Sequence, residues 1–377
     1  MKYVHIAGTN GKGSVAEYIS SIFTAAGVRC GCYTSPHLVS HTERMRIGSE
    51  HIGDEELCSL LDEVKEKRLA VNETLFAAYT AAALLWFERR DADIAVIETG
   101  LGGRLDPTNI IQPSVVVLTS IDYDHMELLG DTIEKIAEEK CGIIKPGVPV
   151  VSAAQCEDAV NVISSHCKRK NAPLRFARPA EILSSGHVGQ TFSFEGDEYF
   201  ISAIGSGQPD NAALATLAAK QMGIGSESIK SGLAAAKLKC RAQYITGSPD
   251  ILLDGAHNEA AITSLLKTLE LHFGGRKKVL LFACMKDKDY AAIIKSLKGV
   301  FESVVVTLAD EARGADPHTL CRVFSDFVMC TAERDIRAAF ETARKEAAEQ
   351  DAMLVVCGSF YLAGKILEIF QAIEKLT

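Results

Sequence analysis

The sequence predicts an α/β protein of two domains, each built around a mostly parallel sheet. Three observations predict it. Short apolar runs alternate with helix-patterned stretches almost throughout the 377 residues, the pattern of strands buried between helices. The first run, residues 3–7, leads through a glycine-rich turn straight into a helix: His5-Ile6-Ala7-Gly8-Thr9-Asn10-Gly11-Lys12-Gly13-Ser14. With 47% hydrophobic and 24% charged residues, a chain of this length carries enough apolar surface for more than one core.

After the turn, Val15, Ile19, Ile22 and Phe23 recur at helical spacing up to Ala26, and Gly27 ends the helix. Residues 29–33 read as the second strand, with Cys30 and Cys32 expected on opposite faces of it. Helices follow at 54–67 and 73–89. Residues 93–98 and 114–120 read as buried strands that end in polar or acidic residues, and ligands of open α/β sheets collect at such carboxyl ends. From 174 to 202 the texture changes to short alternating strands with a turn at Glu195-Gly196-Asp197, read as a small β insertion. Helices at 211–222 and 227–236 close the first domain, and the boundary falls at 240. Residues 241–377 repeat the alternation with strands at 251–254, 278–282, 303–307 and 352–357 and a last helix at 361–374, a Rossmann-like domain.

Composition excludes several partners. The net charge is −9 and no basic run stands out, so no nucleic acid is expected. Apolar stretches such as 80–87 are too short to span a bilayer, so no membrane is expected. Met1 leads directly into a strand, and no signal peptide is expected there. The eleven cysteines include no C-x-x-C pair, which argues against a cysteine-ligated zinc site. Scattered thiols fit a reducing compartment, and the cytoplasm is the expected location.

Strand, glycine turn, lysine, hydroxyl and helix together form a P-loop-type cradle for a nucleoside triphosphate. Glycines let backbone N–H groups crowd phosphate oxygens, and the helix N-terminus adds partial positive charge. Lys12 would neutralise the terminal phosphates and a hydroxyl would face the metal. The common pattern has the hydroxyl directly after the lysine; here Gly13 intervenes before Ser14. A flexible strand-to-helix turn without a ligand is the alternative. Glu98, ending a buried strand, reads either as a magnesium ligand or as a loop carboxylate. His125, in Asp122-Tyr123-Asp124-His125, reads as a loop residue or a second metal ligand. Lys140 reads as a helix-end cation facing the dipole. His37 and the run Asp254-Gly255-Ala256-His257-Asn258 could be ordinary loops. A Ser-His-Asp hydrolase is discounted because no G-x-S-x-G elbow exists.

Taken in order, Gly8-Thr9-Asn10-Gly11-Lys12-Gly13-Ser14, Thr34-Ser35-Pro36-His37-Leu38, Glu98 with Gly100-Leu101-Gly102-Gly103-Arg104-Leu105-Asp106, Asp124-His125, Glu139-Lys140, Asp254-Gly255-Ala256-His257-Asn258, Asp287-Lys288-Asp289-Tyr290 and Gly358-Ser359-Phe360-Tyr361-Leu362 resemble the folylpolyglutamate synthase/dihydrofolate synthase branch of the Mur ligases. The resemblance covers essentially the whole chain. It implies that Asn10, Gly11, Lys12, Gly13 and Ser14 hold the phosphates of ATP, and that Asn211, Arg241 and Asp254 complete the nucleotide contacts. It further implies one magnesium on Ser35 and Glu98 and a second on His125. Lys140 is the lysine carbamylated in this family, and His257 joins Lys12 and Lys140 in the catalytic set. Leu105, Asp106 and Ser359 fall at substrate positions.

The implied chemistry is ATP-dependent amide ligation. A folate-type carboxylate becomes an acyl phosphate, and the amine of L-glutamate then displaces the phosphate. A monomer is expected. Three positions depart from the family pattern. Its Phe-Glu in the early helix is Phe76-Ala77, its Pro-Gly-Arg is Lys239-Cys240-Arg241, and its Gly-x-His-Gln is Gly205-Ser206-Gly207-Gln208. Family members also carry a segment ahead of the first strand that forms part of the pterin pocket, and this sequence starts at the strand. These departures touch acceptor recognition more than the nucleotide parts. The alternatives are therefore the same ligase chemistry on a non-folate acid and a nucleotide-binding protein without turnover.

Overall fold

Apolar β-branched runs such as Val115-Val116-Val117-Leu118 are buried on both faces, as parallel strands between helices must be. The computed structural model describes residues 1–67 and 74–374, with side chains through 370. The chain divides into two compact units. The first comprises Met1–Ser184, Gln190–Ser202 and Gln208–Lys237; the second comprises Ser185–Gly189, Ala203–Gly207 and Leu238–Thr377.

The first unit holds strands β1 (Lys2–Ala7), β2 (Cys30–Tyr33), β3 (Met45–Ile47), β4 (Glu50–His51), β5 (Ile94–Glu98), β6 (Val115–Leu118), β7 (Val150–Ser152) and β8 (Leu174–Phe176) in one sheet of order β4-β3-β2-β5-β1-β6-β7-β8. β1 lies between β5 and β6, parallel to both, with Ile6 opposite Glu98 and Ala7 opposite Leu118. Only the β2–β3–β4 edge is antiparallel. The glycine turn, Glu98 and the residues after Leu118 therefore emerge side by side at one end of the sheet. Helices α1 (Lys12–Ala25), α2 (Asp54–Lys67), α3 (Leu75–Arg89), α4 (Met126–Leu129), α5 (Ile133–Cys141), α6 (Glu157–Arg169), α7 (Gln208–Gln221) and α8 (Ser226–Ala235) belong to this unit. One apolar cluster packs α2 and α3 through Leu60, Trp86 and Phe87; another packs α5 and α6 through Ile136, Ile144 and Ile163.

Several expectations shift. Strands β9 (Glu181–Gly186), β10 (Gly189–Phe194) and β11 (Asp197–Ile201) form a separate three-stranded sheet, the expected β insertion. The change of texture, however, starts one strand too early. β8 pairs parallel with β7 and is only partly covered, because an edge strand buries less of itself than a central one. Cys30 and Cys32, expected on opposite faces of their strand, share a face, as residues two apart on a strand must. Both are buried and both thiols lie against Ser20. Helix α3 begins at Leu75, capped by the Thr74 hydroxyl accepting from Ala77 N; Glu73, given to this helix, lies outside the described residues.

In the second unit, β12 (Gln243–Ile245), β13 (Ile251–Leu253), β14 (Lys278–Phe282), β15 (Ser303–Val306), β16 (Met329–Ala332) and β17 (Met353–Cys357) form a sheet of order β12-β13-β17-β14-β15-β16. All its pairings are parallel except β12 with β13. Helices α9 (Glu259–Phe273), α10 (Tyr290–Ser296), α11 (Pro317–Phe324), α12 (Ile336–Glu349) and α13 (Phe360–Glu374) accompany it. Leu252, Leu280, Phe282, Phe324 and Val355 are central to its core. No helix among the described residues is long and apolar enough to cross a membrane.

Candidate active site

The turn 8–14 is fastened to the end of the neighbouring strand. Thr9 N donates to Ser120 O at 2.7 Å, and the Thr9 hydroxyl exchanges hydrogen bonds with the Asp122 backbone at 3.0 Å. Helix α1 then starts at Lys12 behind Gly11, with no side-chain cap and no acid in its first turn. Its first amides therefore remain suited to an anion. Gly11 has φ +86°, and a methyl group there would come within 2.5 Å of Asn211 Oδ1. Only glycine both turns the chain and admits Asn211 so closely. Asn211 donates to Gln208 Oε1 at 3.2 Å, and Gln208 donates to the buried Ser14 hydroxyl at 3.4 Å. Helix α7 thus brings Asn211 to Asn10–Ser14.

Two lysines converge on one carbonyl. Lys12 Nζ donates to Gly8 O at 3.1 Å and to Thr9 O at 3.2 Å, and Lys140 Nζ donates to Gly8 O at 2.8 Å. Lys140 is only 3% exposed. Burial and the nearby Lys12 charge push its ammonium down to about 7, against the pull of Asp124. Lys140 does lie in the last turn of α5 as expected, but its ammonium is directed into the glycine turn.

Glu98, 3% exposed at the end of β5, accepts from Ser35 N at 3.1 Å, which brings the two expected magnesium ligands together. The loop after Ser35 is tied internally. Glu43 accepts from Leu38 N, Val39 N and Ser40 N at 2.8–3.0 Å, and Arg44 Nε donates to His37 Nδ1 at 3.0 Å. His37, driven down to about 4 by burial, Arg44 and His41, is neutral and carries its proton on Nε2. His125 stands exposed before α4, its Nε2 3.9 Å from Asp124 Oδ1. Among the described residues no three acidic, histidine or cysteine side chains converge as a metal site.

Asp106 is 7% exposed and takes hydrogen bonds from Gly100 N, Leu101 N and Thr108 N at 2.9–3.0 Å and from the Thr108 hydroxyl at 2.5 Å. Since that hydroxyl gives its proton to Asp106, it accepts from His5 Nε2 at 2.8 Å. Burial and Lys145 hold His5 near 3, so it is neutral. A buried chain from His5 through Thr108 to Asp106 therefore fixes the glycine-rich loop, whose Leu105 is 77% exposed. Sequence reading missed this chain because its first member looks like an ordinary strand residue. Thr108→Val leaves His5 Nε2 and Asp106 each one partner short. The unfolding free energy by urea titration should fall by about 1–3 kcal/mol.

In the second unit, β13 and β17 deliver Asp254, His257 and Ser359. Asp254 accepts from Ala242 N at 2.6 Å and Ala256 N at 2.7 Å. Burial pushes its carboxyl up, against the pull of Arg241 and these amides. His257 Nδ1 donates to Gly255 O at 2.9 Å, which fixes one edge of the imidazole. The Arg241 guanidinium lies over the Phe360 ring, 4.2 Å from its centroid. Ser359, 2% exposed, accepts from Tyr361 N at 3.1 Å and so opens α13.

The Mur ligase middle domain matches residues 6–219 and the Mur ligase glutamate ligase domain residues 240–360. Dihydrofolate synthase/folylpolyglutamate synthase of Bacillus subtilis is 37% identical over 80% of this chain and 75% of its own length. The chain belongs to the folylpolyglutamate synthase/dihydrofolate synthase family of Mur ligases. Folylpolyglutamate synthase of Lacticaseibacillus casei is 33% identical over 97% of this chain and 89% of its own. Among solved structures, Mycobacterium tuberculosis folylpolyglutamate synthase complexed with ADP and AMPPCP aligns with TM-score 0.90 at 29% identity, covering 98% of this chain and 91% of that one. Escherichia coli FolC in complex with DHPP and ADP aligns with TM-score 0.90 at 29% identity, covering 99% and 89%. Within this Mur ligase family, Ala77 is the departure whose surroundings are clearest. It lines a cavity of 840 Å³ with Tyr3, Thr80, Leu84, Glu88 and Ile110.

Proposed function

We propose that this protein is an ATP-dependent ligase that joins L-glutamate to a folate-type carboxylate. The observation that carries the reading is the convergence of Lys12 and Lys140 on the Gly8 carbonyl, beside a helix N-terminus without acids. Membership of the family, and relatives solved with ADP, AMPPCP and DHPP, support it.

Asn10, Gly11, Lys12, Gly13, Ser14 and Asn211 hold the phosphates, and Arg241 and Asp254 hold the rest of the nucleotide. A carboxylate resists an amine because oxide is too poor a leaving group. An acid oxygen therefore attacks the terminal phosphorus and ADP leaves, with Lys12 balancing the charge that develops. The glutamate amine attacks the acyl carbon, phosphate departs with the oxygen that came from the acid, and His257 takes the amine proton. Leu105, Asp106 and Ser359 contact substrates.

The donor set of Ser35 and Glu98, one hydroxyl and one buried carboxylate, suits magnesium, which keeps waters and shares phosphate oxygens. His125, with the Asp124 carboxylate beside it, would hold a second ion. When bound, these ions neutralise phosphate charge. Lys140, with its ammonium near neutrality, is the site for a carbamate.

The reading is tested with oxygen-18 in the carboxylate of the acid. One labelled oxygen should appear in the inorganic phosphate of each turnover; unlabelled phosphate would refute the acyl phosphate. Product masses from dihydropteroate, tetrahydrofolate and unrelated acids assign the acceptor. Ala77, standing where the family carries glutamate, favours a second reading in which the same chemistry acts on another acid.

A further inference from the structure

We infer that Phe360 is a positioning residue whose ring sets the orientation of both Arg241 and His257. The inference rests on the nucleotide and catalytic roles proposed for those two residues. Three contacts meet on the ring. The Arg241 guanidinium carbon lies 4.2 Å from its centroid. The His257 imidazole lies 5.5 Å away at 60°. Gly255 lies so close that a methyl group there would come within 2.0 Å of the ring. The space left by Gly255 is therefore filled by Phe360, which is 9% exposed.

The backbone around Arg241 is pinned separately. Cys240 and Ala242 both have positive φ, 51° and 50°, in the left-handed region that non-glycine residues seldom adopt. Gly255 N donates to Cys240 O at 2.9 Å, and Ala242 N donates to Asp254 Oδ2 at 2.6 Å. Asp254 thus fixes where the Arg241 side chain starts, and the aromatic face fixes the direction of its end. The ring in turn is set by the exit of β17, where Gly358 N donates to Ala256 O at 2.7 Å. One side chain from the last helix thereby couples the arginine of the nucleotide contacts to the histidine of the amine step. The force between ring and guanidinium is electrostatic: the negative face of the π-system attracts the cation.

The test uses the full chain with Phe360→Leu, Phe360→Tyr, Arg241→Ala and 3,4,5-trifluorophenylalanine at position 360, which keeps the ring's shape while weakening its negative face. ADP affinity is read by calorimetry, kcat and KM by ADP release, and integrity by the melting midpoint. Phe360→Leu and the fluorinated ring should each weaken ADP binding roughly 3- to 30-fold and lower kcat, while Phe360→Tyr restores both. Unchanged ADP affinity with the fluorinated ring, alongside weakened binding in Arg241→Ala, overturns the inference and leaves the proposed function standing. Unchanged affinity in Arg241→Ala overturns the nucleotide role of Arg241 and the inference with it.

Discussion

Lys12→Ala should lower the rate of ligation on the order of 10³-fold or more, with the fold intact. The lysine is half-buried, and its ammonium is held over the turn by the Gly8 and Thr9 carbonyls. Removing it strips a preorganised charge from the place where phosphoryl transfer concentrates negative charge. With ATP bound as proposed, the ground state would lose less, because the uncapped α1 amides would still face the phosphates. The loss should therefore appear in kcat far more than in ADP affinity, as expected when an interaction strengthens in the transition state. Lys12→Arg should not rescue, since a planar guanidinium cannot repeat the approach of one compact ammonium to two adjacent carbonyls. Near-normal turnover in Lys12→Ala, with an unchanged circular dichroism spectrum, would remove Lys12 from the catalytic set. The substitution also lifts a repulsion from Lys140, whose pKa should then rise.

The parts of this site that were legible in the sequence are those whose chemistry is carried by neighbours along the chain. The turn 8–14 and the run 254–258 each join a buried strand to a helix, so their spacing alone states where they stand. Strands β5, β6, β14 and β17 were readable because full burial leaves a nearly unbroken apolar run, and β1 because its buried part, from Val4, is mostly apolar. Edge strands were not. β4 is exposed throughout and β16 is covered only in part, so composition hardly distinguishes either from loop. The His5–Thr108–Asp106 chain joins residues 103 positions apart, a pairing that only the β1 register creates. Glu43 was invisible for another reason. An acid in a polar loop looks solvated until three backbone amides are found turned toward it. Lys140 shows the limit most clearly: the helix and its residue were identified, but the direction of the side chain, on which its chemistry depends, comes from packing against Gly8.

That packing makes the second prediction. Lys140→Met should lower turnover on the order of 10²-fold or more while making the protein more stable in mild acid. The neutral amine is the form that attacks carbon dioxide, forming an N–C bond and releasing one proton, and the product is an anion. An ammonium held near 7 by burial and by Lys12 supplies that form at physiological pH, where an ordinary lysine would not. Turnover should fall as the pH drops below about 7 and the amine regains its proton. It should also fall in carbon-dioxide-free buffer and return on adding bicarbonate. With carbon-13 bicarbonate, a carbamate resonance should appear in the parent protein and be missing from Lys140→Met. Normal turnover in that variant, or a parent protein indifferent to bicarbonate and lacking the resonance, would show that the amine works unmodified or not at all. The stability half follows from linkage. The folded pKa lies below the unfolded value, so between about pH 7 and 10.5 the unfolded chain binds more protons here, and this residue's contribution to stability rises with pH across that window. Below it the burial cost is present in full. At pH 6, replacing the cation with an apolar chain of similar length should raise the unfolding free energy by roughly 1–4 kcal/mol. A residue that weakens the fold in its charged form and reaches into the glycine turn 8–14 is the signature of a group kept for chemistry.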